Sequence, residues 1–284
     1  MMNRRRFLTL SACALATPVA ASPQIWTGRA MGAGVSLRLE GATPRQARAF
    51  FAAAVHELAH IERVFSLHRD SDLTRLNRTG RLDWPPDALV QVMDLSDQLY
   101  HATGGAFDPT VQPLYLARAN GRDETGLVVG WDQVRRDQGI RLRPGMALTF
   151  NGIAQGYAAD RLAALAARHD LTEVLLDTGE IRALGPRDWQ AGLADPQGRS
   201  LRRITLRDRA LATSSAYGTR IGAGLPHILG PDGRAALWDT VSASAPSAAL
   251  ADGLSTALCL MTATEADAAL ATLPDCRIEL ALPL

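Results

Sequence analysis

Two segments combine residue types that could bind a phosphate-bearing ligand together with a metal ion. The first is TFNGIAQGYAAD, residues 149–160, where two amides and two glycines separate an apolar stretch from an alanine-rich helix. Glycine lets the backbone approach a ligand closely, and a helix N-terminus presents unpaired N–H groups that suit phosphate. The segment therefore predicts either a phosphate cradle or an ordinary strand-to-helix turn, and the residues alone leave both open.

The second segment is ALADGLSTALCLM, residues 249–261, which places one acid in an otherwise apolar helix. Asp252 and Thr256 are four residues apart and share a helix face, with Ser255 beside them. Hard oxygen ligands of this kind suit Mg²⁺. The alternative is structural, with an aspartate favouring the helix N-terminus and a threonine bonded to its own backbone.

A further segment, TGGAFDPTVQPL at residues 103–114, could contact a planar ring. Its aromatic residue, Phe107, could stack on such a ring while Gly104 and Gly105 expose backbone groups. As a bare pattern it is equally compatible with a structured loop.

The pentapeptide HELAH, residues 56–60, matches the zinc-protease pattern in which two histidines bind Zn²⁺ and a glutamate acts as base. On a helical wheel, however, His56 and His60 lie opposite the apolar stripe centred on Leu58. A secreted zinc hydrolase is therefore the less favoured hypothesis. Glu62 falls near the apolar stripe, and we expect it to be a structural acid bound to backbone amides near Ser66 or to an arginine.

The elements that must position these residues are helices interspersed with short, hairpin-like strands. Helical spacing or capping signals predict helices over 43–65, 86–102, 154–167 and 247–261. Strands are predicted over 31–39, 147–150, 173–177 and 277–282, with short ones near Gln190, Ile204, Leu211, His227 and Val241. Without regular βαβ alternation, the pattern predicts a single α+β domain over 22–284, with mixed or antiparallel sheets flanked by helices.

Residues 1–21 have the features of an export signal. Arg4, Arg5 and Arg6 precede an apolar stretch and fit the twin-arginine pattern, with cleavage expected after Ala21. The less favoured alternative is a lipoprotein anchored at Cys13. Either interpretation places the mature protein outside the cytoplasm, in the periplasm, where a disulfide between Cys259 and Cys276 would be permitted.

Composition excludes several other classes of function. The formal net charge of +1 becomes about −2 without the three N-terminal arginines, so the body has no basic footprint for nucleic acid. The chain has no lysine, which excludes Schiff-base chemistry and a P-loop lysine. No later segment is both long and apolar enough to be expected to cross a membrane.

Seven segments occur in a fixed order along the chain: MGA at 31–33, IERVFSLHRDSDLTRLN at 61–77, GGAFDPTVQPL at 104–114, NGIAQGYAAD at 151–160, LATSSAY at 211–217, HILGP at 227–231 and ADGLSTAL at 251–258. Together and in this order they resemble the ApbE family of FAD:protein FMN transferases. The resemblance implies a metal-dependent enzyme whose substrates are FAD and a client protein bearing an acceptor threonine or serine, with AMP released.

The resemblance also implies roles for individual residues. Mg²⁺ would be held by Asp252 and Thr256, with Ser255 and the carbonyl of Gly152 nearby. His227 or Asp252 would assist removal of the acceptor's proton. The residues expected to line the flavin nucleotide are Met31, His68, Ala106, Phe107, Asp108, Thr149, Gln155 and Leu229.

The chain departs from the family pattern at positions that bear on ligand binding. Thr149 stands where the family usually has aspartate, and Gln155 where lysine is common, which would weaken contacts to the nucleotide. A non-catalytic periplasmic flavin carrier is therefore the alternative function. NGIAQGYA together with DTGEIRALG, residues 177–185, resembles the NosX-type members, which implies a client like NosR, a membrane flavoprotein of nitrous-oxide respiration.

Overall fold

The computed structural model describes residues 22–195 and 197–284. The segment expected to be a twin-arginine signal, residues 1–21 with Cys13, lies outside the described residues. Cys259 and Cys276 are both free thiols, so the permitted disulfide is not formed in this structure. Among the described residues, no helix combines the length and apolar character that crossing a membrane requires.

The described residues form α-helices interspersed with short strands. The helices are α1 (Pro44–Phe65), α2 (Asp72–Thr79), α3 (Asp87–Ala102), α4 (Gln112–Ala119), α5 (Ala154–Arg168), α6 (Ala248–Leu258) and α7 (Ala263–Thr272). The strands are β1 (Gln24–Ala30), β2 (Ala33–Leu39), β3 (Arg81–Leu82), β4 (Ile140–Arg141), β5 (Val174–Asp177), β6 (Ile181–Leu184), β7 (Trp189–Ala194), β8 (Ser200–Leu206), β9 (Ala210–Ser215), β10 (Arg220–Ile221), β11 (Leu225–Pro226), β12 (Trp238–Ala245) and β13 (Arg277–Pro283).

One seven-stranded sheet organises the chain, in the order β1-β2-β5-β6-β9-β12-β13. Every adjacent pair in it is antiparallel. Three two-stranded sheets, β3–β4, β7–β8 and β10–β11, accompany it. The predicted α+β class, with antiparallel sheets and flanking helices, is confirmed.

The two faces of the large sheet are covered differently, as the period-2 alternation of its side chains requires. Val174 and Leu176 on β5 pack into the main core with the helices. Leu175, between them, joins a smaller cluster with Trp189 and Leu206 of the β7–β8 hairpin. The sheet is thus a central layer with helices on one face and this hairpin on the other.

The predicted helices are confirmed almost to their ends, because their signals are local. Thr43 caps α1 through a capping box with Gln46, and Leu58 and Ile61 are buried on its inner face. Three shorter helices, α2, α4 and α7, were missed, although α2 and α7 begin with capping boxes at Ser71 and Thr262.

Two predicted strands were wrong in extent. Met31 is not in a strand: it has φ 51° and forms, with Gly32, the turn between β1 and β2. Residues 147–150 form no strand, because the side chain of Asn77 bonds both backbone groups of Leu148. The backbone N–H of Thr149 instead donates to the Pro109 carbonyl at 2.8 Å.

Helices α5 and α6 approach each other unusually closely, and Gly156 makes this possible. A Cβ at position 156 would collide with the backbone carbonyl of Ala248. One helical turn later, the Asp160 carboxylate accepts hydrogen bonds from Ala248 N and Ala249 N, each at 2.8 Å. Asp160 therefore caps the N-terminus of α6 from α5, and the two helices form one rigid unit.

We expect Gly156→Ala to destabilise the protein by about 1–3 kcal/mol, because the added methyl group meets backbone that cannot rotate away. Thermal unfolding should shift down by several degrees (roughly 2–4 °C per kcal/mol) for a chain of this size. Gly192→Ala is the matched control, since its added Cβ would have open space around it. Equal unfolding temperatures for the two variants would contradict the close-packing argument.

Candidate functional site

A cavity of about 930 Å³ lies among the segments that the sequence analysis selected. This volume is near the upper end of the range for small-molecule sites. Twelve of the predicted residues line it: Met31, His68, Ala106, Phe107, Asp108, Thr149, Gly152, Gln155, His227, Leu229, Asp252 and Thr256. Ser255 does not line the cavity and is fully buried behind it.

Asp252, in the middle of α6, is the most deeply buried acid of the cavity wall, with 3% of its surface exposed. Its Oδ2 accepts a hydrogen bond from Gly156 N at 2.9 Å, across the α5–α6 contact. Burial raises the pKa of Asp252 to about 7, the Gly156 bond opposes the rise, and the charge of Asp160 adds to it. The carboxylate is therefore a poorly solvated group that a cation would stabilise.

Hydroxyl groups cluster one turn further along α6. Ser214 Oγ on β9 lies 2.8 Å from Ser255 Oγ and 3.1 Å from Thr256 Oγ1. Ser255 also donates to the Asp252 carbonyl at 2.9 Å, so the proton of its hydroxyl group is engaged in a hydrogen bond inside α6. Thr256 reaches the cavity and packs against Gly152, where a Cβ would lie 2.9 Å from Thr256 Oγ1.

Glu180 also lines the cavity and was missed as a site residue. It is 7% exposed and accepts a hydrogen bond from Thr213 N at 3.2 Å. Burial raises the pKa of Glu180 well above its usual value, and the nearby charge of Asp252 raises it further. No residue pattern within DTGEIRALG marks Glu180, because its neighbours in the cavity, Thr213 and Asp252, are distant in sequence.

The donor atoms around Asp252 fit a hard divalent cation. Asp252, Glu180 and Thr256 offer only oxygen atoms to the cavity, which is the ligand type that Mg²⁺ takes alongside phosphate and water. Within the described ranges, no group of three or more histidine, cysteine or acidic side chains is arranged so that it could hold a metal ion. The set therefore suits a cation that takes its remaining ligands from its substrate.

At another part of the cavity wall, Glu62 fixes the turn that carries Met31. Its Oε1 accepts from Met31 N at 2.6 Å, and Arg69 lies 3.8 Å from its Oε2. Of the two expected partners, the arginine is present as Arg69, whereas the bound amide belongs to Met31 and not to a residue near Ser66. The Gln155 side chain reaches the same turn and donates to the Met31 carbonyl at 3.5 Å.

The Ala106–Thr110 loop forms another wall and is held by Asp108. Asp108 Oδ1 accepts from Thr110 N at 2.7 Å and from Thr110 Oγ1 at 2.6 Å, while Oδ2 accepts from Trp131 N at 3.2 Å. Burial raises the pKa of Asp108, and these hydrogen bonds oppose the rise. Its carboxylate therefore shapes the loop that presents Ala106 and the buried ring of Phe107.

His227 is oriented by two carbonyl oxygens. Its Nδ1 lies 3.0 Å from Ala216 O and 3.1 Å from Thr219 O, so Nδ1 carries the proton and Nε2 is left as an acceptor. Burial lowers the pKa of His227, which favours this neutral form at pH 7. His68 is exposed at the cavity's edge, and Leu229 is buried in a small cluster with Leu114.

The HELAH segment does not form a comparable site. His56 and His60 are exposed, as the helical wheel predicted. Glu57, the base of the zinc hypothesis, instead accepts a hydrogen bond from Arg161 Nε at 2.7 Å. The pentapeptide is part of the solvated face of α1.

The chain is similar to known proteins that are named as flavin transferases. A protein of Klebsiella pneumoniae named FAD:protein FMN transferase is 26% identical, with 89% of this chain aligned to 83% of its length. One of the same name from Treponema pallidum is 34% identical, but over only 40% of this chain and 37% of its own length. The solved structure of the flavin transferase ApbE from Vibrio cholerae, 20% identical, superposes with a TM-score of 0.76 over 92% of this chain and 97% of that one.

The sequence model of the ApbE family matches residues 31–278, nearly the whole of the described chain. That match includes every residue that the site places around the cavity. The chain belongs to the ApbE family.

Proposed function

We propose that this protein is an FAD:protein FMN transferase. It transfers FMN from FAD to a threonine or serine hydroxyl of a client protein and releases AMP. The proposal is supported by the family and by the names of its relatives. The observation that carries it is the cavity of about 930 Å³ with the buried carboxylate of Asp252 and the hydroxyl of Thr256 in one wall.

Asp252 and Thr256, with the carbonyl of Gly152 nearby, are the groups that would hold Mg²⁺. The ion would neutralise charge on the phosphoryl oxygens and align the phosphate. The chain's own contribution is to fix these groups, since the Gly156 amide orients the Asp252 carboxylate and Ser214 orients the Thr256 hydroxyl.

The reaction also needs a proton acceptor. The acceptor hydroxyl forms a bond to the phosphorus on the FMN side, the bond to the AMP oxygen breaks, and the hydroxyl proton leaves. His227 is the better candidate base, because Nε2 is unprotonated when Nδ1 donates to Ala216 and Thr219. Asp252 is already engaged by Gly156 and would hold the ion.

We propose that the protein acts in the periplasm after export by residues 1–21, and that its client is a NosR-like membrane flavoprotein. The first proposal rests on the three arginines and the apolar segment, the second on the segments 151–158 and 177–185. A mature N-terminus at Ser22 would support cleavage, whereas lipid on Cys13 would support the anchored alternative.

The first prediction concerns the reaction itself. Incubated with FAD, Mg²⁺ and a NosR-like flavin domain, the protein should add one FMN to the client, seen by mass spectrometry and abolished by EDTA. Asp252→Asn should lower the rate about 100-fold or more, because the ion supplies several kcal/mol of transition-state stabilisation. Asp267→Asn, an exposed acid on α7, is the control. Flavin binding without transfer to several clients would instead support the carrier alternative.

The variant His227→Gln should distinguish the contribution of the proton acceptor from that of the metal site. We expect the rate constant of transfer to fall about 100-fold, within the range for loss of a general base. The affinity for FAD, measured by flavin fluorescence, should change little, since neither carbonyl partner of Nδ1 is part of the metal site. An undiminished rate would exclude His227 as the base.

Gln155→Lys should tighten FAD binding about tenfold, because a charge-assisted contact to phosphate is roughly twice as strong as a neutral one. Thr149→Asp alone should weaken binding, since it adds a negative charge to a wall that already carries Asp252. Flavin fluorescence titration measures both. Unchanged affinity in both variants would show that positions 149 and 155 do not contact the nucleotide.

A further inference from the structure

Glu180 lies in the connection between β5 and β6, and its carboxylate is buried in the wall of the cavity. Within the described part of the chain, its hydrogen bond comes from the Thr213 amide, which bonds one of the two carboxylate oxygens. Burying a carboxylate is costly unless donors or a cation compensate. One amide at 3.2 Å is weak compensation for a side chain that is 7% exposed.

Glu180 and Asp252 act on each other as like charges. Strand β9 connects their surroundings: Thr213 bonds Glu180, and the next residue, Ser214, bonds the hydroxyls of Ser255 and Thr256. Two neighbouring buried carboxylates repel each other unless a positive charge lies near both. Arg69, the one arginine among the described residues that line the cavity, is 3.8 Å from Glu62 and is engaged there.

We propose that Glu180 is a second carboxylate of the divalent-cation site and acts together with Asp252. The inference rests on the proposed function, which requires a cation at this wall. It also gives a reason why an uncharged Thr149 is tolerated, since Glu180 supplies a carboxylate to the same cavity from a different strand connection. The alternative is a purely structural acid that fixes the Thr213 amide.

The test is Mn²⁺ binding to the purified, flavin-free protein, measured by electron paramagnetic resonance. Glu180→Gln keeps the side-chain shape and an oxygen for Thr213, so we expect a dissociation constant at least about tenfold higher with folding retained. Glu180→Asp keeps the charge and should bind more tightly than Glu180→Gln. Glu62→Gln removes another cavity acid and should leave Mn²⁺ affinity unchanged within about twofold, because Arg69 already pairs with it.

Thermal unfolding with and without Mn²⁺ provides a second readout. Mn²⁺ should raise the unfolding temperature of the wild type more than that of Glu180→Gln. If Glu180 were only a structural acid, the substitution would lower the unfolding temperatures with and without Mn²⁺ by the same amount. If Glu180→Gln binds Mn²⁺ as the wild type does while Asp252→Asn does not, the inference is overturned and the proposed function is untouched. The inference about Glu180 is also overturned if the wild type transfers FMN but binds no Mn²⁺. Absence of FMN transfer by the wild type would instead contradict the proposed function.

Discussion

The site depends on how closely α5 and α6 approach each other. Gly156 removes the side chain that would separate them, and its amide then reaches the Asp252 carboxylate at 2.9 Å. Asp160, one turn further along α5, binds the first amides of α6 and fixes its position along the same contact. Helix α5 therefore orients the carboxylate of Asp252 and also fixes the position of α6, the helix that carries Asp252.

This contact also explains why the cavity wall can tolerate buried negative charge. Asp252 lies within α6, with its carboxylate turned toward the N-terminal part of α5, where the Gly156 amide donates to it and the helix dipole is positive. Among the described residues, the hydrogen bond that Glu180 accepts comes from the Thr213 amide, which belongs to strand β9 and not to a helix end. The carboxylates of Asp252 and Glu180 thus share a cavity but differ in how well their negative charge is stabilised. A cation near both would stabilise Glu180 most.

The sequence was sufficient for features whose cause is local. The cap at Thr43 and the apolar spacing around Leu58 predicted α1, and the spacing of Asp252 and Thr256 predicted a shared helix face. Features with distant causes were not predictable in this way. Asn77 prevents residues 147–150 from pairing as a strand from 71 residues away, and no pattern near Glu180 indicated that Thr213 and Asp252 would be its neighbours.

The uncharged residues Thr149 and Gln155, which depart from the family pattern, must be considered together with the other charges of the cavity. In the part of the chain that the structure describes, the cavity is lined by four acids, Glu62, Asp108, Glu180 and Asp252, and by one arginine, Arg69. Glu62 is paired with Arg69 and Asp108 is satisfied by Thr110 and Trp131, which leaves Asp252 and Glu180 as the acids with least compensation. An anionic dinucleotide entering this cavity meets net negative charge and no lysine. In the proposed function, binding of the dinucleotide must therefore be coupled to binding of the cation. Because Thr149 and Gln155 are uncharged, the phosphate is held mainly by the ion and less by side chains.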